Sequence, residues 1–344
     1  MKHFLINSLL SIFFILPNWA LKILTLRKEI SYKNEVFDYQ SMIYISLISW
    51  FITKFGYVLD MSEFSDDMRK KMANLRIKIN NNVALKKIIQ KEDLIIDQKN
   101  NLVLRQYSLD SEMSDKCVLF FHGGGYAISN IDVYDPVVSF MCEELNTKIF
   151  SLEYSLSPEN KFPKALQEAN IAFEWLRRHG YSKEKIIICG DSAGGHLAAS
   201  LLHDRSLKGK ELPFLQVLIY PMVSPSLDFP SLERLGENFL LTKDQMKWFW
   251  HYFTAEEANN LDSRFDLLKI DNNNKFDTKT VIITAGFDPL CDEAEAYAAK
   301  LNDMGKNVKQ IHYPSLFHSF INITRLKTAK LATIDIFKEI KRNL

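Results

Sequence analysis

The pattern of apolar and polar positions divides the chain into three stretches. Met1 to Leu26 is mostly apolar after Lys2 and His3, reading FLINSLLSIFFILP and then NWALKILTL. Its unbroken apolar core is far shorter than the ~18 residues expected of a membrane span. Phe4, Leu5, Leu9, Ile12, Phe13 and Leu16 recur near helical spacing. Three fates suit such a segment: a helix lying in a membrane interface, a helix docked on the rest of the protein, or an export signal cut after Ala20. From Ser41 to about Gln90 the pattern predicts helices, first apolar (SMIYISLISWFITKFGYVL), then amphipathic (FSDDMRKKMANLRIKI).

Beyond this region the rhythm changes. Asn101–Leu109 alternates as a strand does, and short apolar strands then take turns with helices. Strands are predicted over Lys116–Phe121, Lys148–Glu153, Lys185–Cys189, Phe214–Tyr220, Lys279–Ala285 and Asn307–Tyr313. Helices are predicted over Pro163–His179, Ala193–Leu207, Asp292–Met304 and Thr328–Lys341, with Pro163 opening and Gly180 closing the first of them. Runs such as IIIC and VIIT are apolar at every position, as strands buried on both faces are. The alternation predicts an α/β fold, a mostly parallel central sheet flanked by helices.

Residues 224–276 interrupt this pattern with no strand and an aromatic helix, QMKWFWHYF. They follow a strand's C-terminal end, where α/β folds gather their sites, and predict a cap insertion. The expected organisation is an apolar segment over 1–26, an N-terminal helical cap region over 27–92, and a catalytic domain over 93–344 carrying the 224–276 insertion. Trp248, Phe249 and Trp250 would help enclose an apolar pocket, though some must pack the cap's own core.

Charge and cysteine usage narrow the classes. A net charge of +1 with no Lys/Arg run argues against nucleic acid as partner. The first 100 residues hold 15 Lys/Arg against 10 Asp/Glu, and this +5 leaves membrane-surface contact open beside a solvated helical face. Four scattered cysteines form neither a disulfide framework nor a zinc spacing. Cytoplasmic, membrane-peripheral and exported locations all stay open, as does a homo-oligomer.

The sharpest chemical signal is Gly190-Asp191-Ser192-Ala193-Gly194, between a predicted strand and a predicted helix. A Gly-x-Ser-x-Gly turn in that setting lifts a serine hydroxyl clear of the backbone. A second signal, His122-Gly123-Gly124-Gly125, directly follows the strand CVLFF. Backbone N–H groups in such a loop can stabilise the oxyanion formed when an ester carbonyl is attacked. Gly123, Gly124, Gly125 and Ala193 are the oxyanion-hole candidates, with the donors expected from Gly124, Gly125 and Ala193. Ser192 then needs a base and an orienting acid. His318, in the loop expected after the break YPSLF, is preferred over His312, which lies within a strand. Asp288, following VIITAGF, is the candidate acid, while Asp292 and Glu293 suit a helix's first turn. His196 points away from Ser192 one helical turn on, and His122 braces its own loop.

These blocks resemble the hormone-sensitive lipase family of α/β-hydrolases, which includes bacterial carboxylesterases and arylacetamide deacetylase. The resemblance runs from Asp115 to Leu344 through HGGG at His122–Gly125, YSLSPE at Tyr154–Glu159, GDSAGG at Gly190–Gly195, DPLCDE at Asp288–Glu293 and FHSF at Phe317–Phe320. It implies an α/β-hydrolase fold, a Ser192–Asp288–His318 triad, an oxyanion hole in the glycine loop, a helical cap and no cofactor. Ser155 and Ser157 stand where the family usually has Arg and Ala, Cys291 where it has Arg, and Ser319 where it has Gly. The expected activity is cleavage of carboxylic esters with short to medium acyl chains. Amide cleavage on the same machinery and a catalytically silent small-molecule receptor are the alternatives.

Overall fold

Strands with no polar face need helices on both sides, and the chain supplies them. The computed structural model describes residues 16–25, 28–54, 65–79, 84–255 and 262–344. A two-stranded ribbon, β1 (Ser31–Tyr32) and β2 (Glu35–Val36), precedes the main sheet. That sheet holds β3 (Gln90–Asp97), β4 (Leu102–Ser108), β5 (Cys117–Phe121), β6 (Lys148–Glu153), β7 (Ile186–Asp191), β8 (Leu215–Ile219), β9 (Lys279–Phe287) and β10 (Val308–Phe317). Its spatial order is β10-β9-β8-β7-β5-β6-β4-β3. The six strands from β10 to β6 run parallel, and β4 and β3 join antiparallel at one edge. Every residue of β5, β7 and β8 is buried, as their unalternating sequences require.

The strand order reverses around β5, which lies between β6 and β7. Connections leaving β5 and β7 therefore diverge to opposite sides, opening a crevice at their C-terminal ends where α/β folds bind ligands. The glycine loop follows β5 and the Ser192 turn follows β7, so both face this crevice.

Helices are α1 (Asn18–Thr25), α2 (Tyr39–Lys54), α3 (Asp66–Ile79), α4 (Ile131–Leu145), α5 (Lys164–Arg178), α6 (Ala193–Leu207), α7 (Pro230–Leu235), α8 (Lys243–Phe253), α9 (Cys291–Asp303) and α10 (Lys327–Lys341). Helix α4 lacks any prediction from the sequence; Asn130 caps it, its side chain accepting from the Val133 amide. Strand β3 was also not expected. It is an exposed edge strand whose sequence, QKEDLIID, shows neither a clean alternation nor an apolar run. The predicted break at YPSLF is instead a register shift within β10, which runs on to Phe317.

No strand occurs among the described residues of the 224–276 insertion, which holds α7 and α8. The apolar stripe from Phe4 to Phe13 lies outside the described residues. Its C-terminal continuation packs on the protein. Leu21 of α1 is 1% exposed and joins the cluster containing Phe37 and Ile43, and the Leu16 carbonyl accepts from the Gln40 side chain. Trp19 and Ile23 point outward. No helix among the described residues is long and apolar enough to cross a membrane. Burying one leucine contributes about 1.5–3 kcal/mol. Deletion of residues 1–26 is accordingly expected to lower stability in urea unfolding by about 2 kcal/mol or more. Unchanged stability with raised solubility would mean instead that the segment serves attachment.

Candidate active site

The site is built around one strained residue. Ser192, between β7 and α6, has φ 55° and ψ −121°, far from the regions an L-residue prefers. Its amide donates to the Ile219 carbonyl at 2.9 Å, and its own carbonyl accepts from Met222 and His196 at 3.1 Å. Close packing explains Gly194: a Cβ there would lie 2.0 Å from the Phe121 carbonyl oxygen at the end of β5. Any side chain would push the first turn of α6 off the sheet.

His318, immediately after β10, reaches this serine. Its Nε2 accepts from the Ser192 hydroxyl at 2.9 Å, and its Nδ1–H donates to Asp288 Oδ2 at 2.7 Å. Asp288 is completely buried, and its second oxygen accepts from the Leu290 amide at 2.8 Å. His318 is 6% and Ser192 8% exposed, so the hydrogen-bond chain runs from a buried acid to the edge of the crevice. The Tyr220 ring packs 4.8 Å from the His318 ring, centroid to centroid. The three candidates from three separate connections thus meet in one place. His312 is engaged elsewhere, by Glu35 at 2.7 Å and Thr284 at 2.8 Å.

The glycine loop corrects one expectation. The Gly123 amide donates to Asp191 Oδ1 at 2.8 Å, so it cannot also serve an oxyanion. The amides of Gly124, Gly125 and Ala193 have no acceptor among the described residues. Ala193 opens α6, where N–H groups lack intrahelical partners. Gly124 sits at φ 125°, and a Cβ there would fall 1.7 Å from the Ile128 carbonyl oxygen. His122 turns away from the crevice: it stacks on Tyr154 at 4.3 Å, Tyr154 donates to its carbonyl at 2.7 Å, and burial lowers its pKa to about 4. His196 is fixed between the Tyr126 hydroxyl and the Phe265 carbonyl and is likewise lowered to about 4 by burial. Both stay neutral near pH 7.

Sequence reasoning missed the role of Asp191, the variable residue before the serine. Fully buried, it accepts from the Gly123 amide and from the Tyr134 hydroxyl at 2.8 Å, with the Tyr220 hydroxyl at 3.4 Å. Burial raises its pKa to about 6 against the opposing pull of these donors. It ties the glycine loop to the serine turn. Asp292 and Glu293 occupy the first turn of α9 as expected, and they also anchor the insertion, accepting from the amides of Ser231 and Val223.

The departures from the family pattern have local partners. Ser155 donates through its amide and hydroxyl to Glu168, at 2.7 and 2.6 Å, and the Ser157 hydroxyl donates to the Asn160 carbonyl. Ser319 lies in the left-handed region at φ 70°, where glycine would be unstrained. Cys291, Glu295 and His312 bring possible metal-ligand atoms within 4.8 Å of one another. Both His312 nitrogens are already hydrogen-bonded, and burial pushes the Cys291 thiol far above its usual range, so the set is poorly suited to an ion.

Above Ser192 lies a cavity of ≈ 150 Å³. Tyr44 and Ile48 of α2, Met72 and Arg76 of α3, and Leu241 and Phe249 of the insertion help to line it. Phe249 lies so near the glycine loop that a Cβ on Gly125 would fall 2.2 Å from its ring. Trp250 instead packs on Phe253 and Phe265.

A family model described as alpha/beta hydrolase fold matches residues 118–322, more than half of the chain. The chain belongs to this family. Carboxylic ester hydrolase LipN of Mycobacterium tuberculosis is 31% identical to this hydrolase over 251 residues, 70% of this chain and 66% of that protein. Ethyl acetate hydrolase of Pseudomonas putida is 30% identical over 222 residues, 62% of this chain and 69% of that one. Among solved structures, the Francisella virulence factor BioJ is 31% identical, with a TM-score of 0.75 over 87% of this chain and 98% of its own. A thermostable esterase from Pseudomonas putida, 22% identical with a TM-score of 0.80 over 91% of this hydrolase and 99% of its own chain, shares the fold.

Asp191→Ala would strand the Gly123 amide and the Tyr134 hydroxyl in the core. An unsatisfied buried donor costs about 1–3 kcal/mol, so denaturant unfolding is expected to register a loss of at least ~2 kcal/mol. A loss below ~0.5 kcal/mol would contradict this account of Asp191.

Proposed function

We propose that this hydrolase cleaves carboxylic esters of short to medium acyl chain through an acyl-enzyme on Ser192, with His318 as general base and Asp288 as its orienting acid. One observation carries the assignment: the unbroken hydrogen-bond chain Ser192–His318–Asp288. The Nδ1–H bond to Asp288 leaves Nε2 free to take the serine proton as Oγ attacks the ester carbonyl. Negative charge then develops on the former carbonyl oxygen, toward the amides of Gly124, Gly125 and Ala193, each such donor contributing about 3 kcal/mol to the transition state. Collapse breaks the ester C–O bond, and His318 returns its proton to the departing alcohol. Water repeats the sequence: His318 takes its proton, the hydroxyl oxygen bonds to the acyl carbon, and the acid leaves as Ser192 regains its hydrogen.

The chain-length preference rests on the cavity. Its ≈ 150 Å³ is covered by α2, α3 and residues of the insertion, which are the helical cap in this reading. A long acyl chain would have to displace Phe249 or the α3 side chains.

Ser192→Ala is expected to cut kcat by several orders of magnitude, up to ~10⁶-fold, without loss of fold. His318→Ala should be folded and inactive, while His312→Ala keeps measurable turnover. Initial rates on ethyl butyrate, on acetanilide and on an emulsified long-chain triglyceride test the substrate class. Ethyl butyrate is expected to be cleaved fastest. Near-normal turnover by Ser192→Ala, the reverse pattern for the two histidines, or faster cleavage of the amide or the emulsion would each overturn the corresponding part.

A further inference from the structure

The cavity above Ser192 contains a cation that no carboxylate among the described residues contacts directly. Arg76 projects from α3 into the lining shared by Ser192, His318, Gly124 and Gly125. Among the described lining residues it is the only Asp, Glu, Lys or Arg. Its guanidinium lies 5.9 Å from the centroid of the Tyr134 ring, and no carboxylate among the described residues pairs with it. Two other cations of the same helix are paired: Arg69 meets Glu159 at 2.6 Å and Asp66 at 3.0 Å, and Lys71 meets Asp67 at 2.6 Å. Nor is the buried acid nearby available to it. Asp191 directs its oxygens to the Gly123 amide and the Tyr134 and Tyr220 hydroxyls.

A half-buried guanidinium among Ile48, Met72, Leu75 and Ile128 loses part of its hydration, which the oxygens of a bound anion would replace. Its planar fork of N–H groups matches a carboxylate or phosphate bidentately, and the apolar walls strengthen such a pair. Its field already reaches the site, favouring the ionised form of Asp191 and the neutral form of His122.

We propose that Arg76 selects esters carrying a second, anionic group, a carboxylate or a phosphate, held toward α3 while the ester carbonyl lies at Ser192. The proposal rests on the hydrolase reading above and adds the substrate class. A dicarboxylic acid half-ester is the simplest molecule with the required chemistry. Arg76 is a specificity residue in this scheme and takes no part in bond breaking.

The test compares kcat/KM for monoethyl glutarate with that for its uncharged isostere, ethyl glutaramate, using the full chain. Ethyl 4-phosphonobutyrate, run alongside, distinguishes phosphate-like from carboxylate recognition. The wild type should favour an anionic ester by about tenfold or more, as charged hydrogen bonds typically provide. Arg76→Gln should shrink this ratio by about the same factor, mainly through KM, while Arg76→Lys keeps part of it and Arg76→Glu inverts it. Equal wild-type efficiency on anionic and neutral esters would overturn the proposal, and needs no variant to fold. An equal loss on both classes in Arg76→Gln would also overturn it, marking Arg76 as a support for Tyr134 and Asp191. If no ester at all is hydrolysed by the wild type, the hydrolase reading fails, and this inference fails with it.

Discussion

The backbone at Ser192 is the constraint on which the site depends. A non-glycine residue held at φ 55° and ψ −121° costs about 1–3 kcal/mol, and it persists only where its surroundings leave no alternative. Here the surroundings are the buried β7, the well-packed α6 and hydrogen bonds from Ser192 to Ile219 and from Met222 to Ser192. Glycine at 194 lets the helix start against the end of β5. The strain stands the hydroxyl at the crevice floor, where one imidazole nitrogen can reach it.

Buried carboxylates then connect the separate parts. Asp191 joins the loop after β5 to the serine turn, and Glu293 ties Val223, where the insertion begins, to the helix that follows Asp288. Asp288 holds the imidazole. In each case an acid inside the protein accepts backbone or side-chain donors from another connection, so loops distant in sequence keep a fixed separation. Desolvation raises Asp191 and Glu293 above the usual carboxylate range, a sign of how dry this framework is.

Much of this is legible in the sequence. Continuous apolar runs marked β5, β7, β8 and β9 because strands buried on both faces carry no polar alternation. The meeting of Ser192, Asp288 and His318 followed from motifs at strand ends. The edge strand β3 was hidden because solvent on most of its length removes the periodic signal, and α4 because Pro136 sits within it. Asp191 was invisible for another reason: its neighbours define the motif, whereas its own role depends on Tyr134 and Gly123, which lie 57 and 68 residues away. Arg76 was similarly hidden on an amphipathic helix, where a cation ordinarily marks the solvated face.

The central claim is that Ser192 is the nucleophile, set up by its turn and by His318. The most direct measurement is intact-mass and peptide-mapping analysis after incubation with a fluorophosphonate. The account predicts one adduct per chain, located on Ser192, with loss of esterase activity in proportion to labelling. An unmodified Ser192 in fully inhibited protein, or adduct formation that persists in Ser192→Ala, would contradict it.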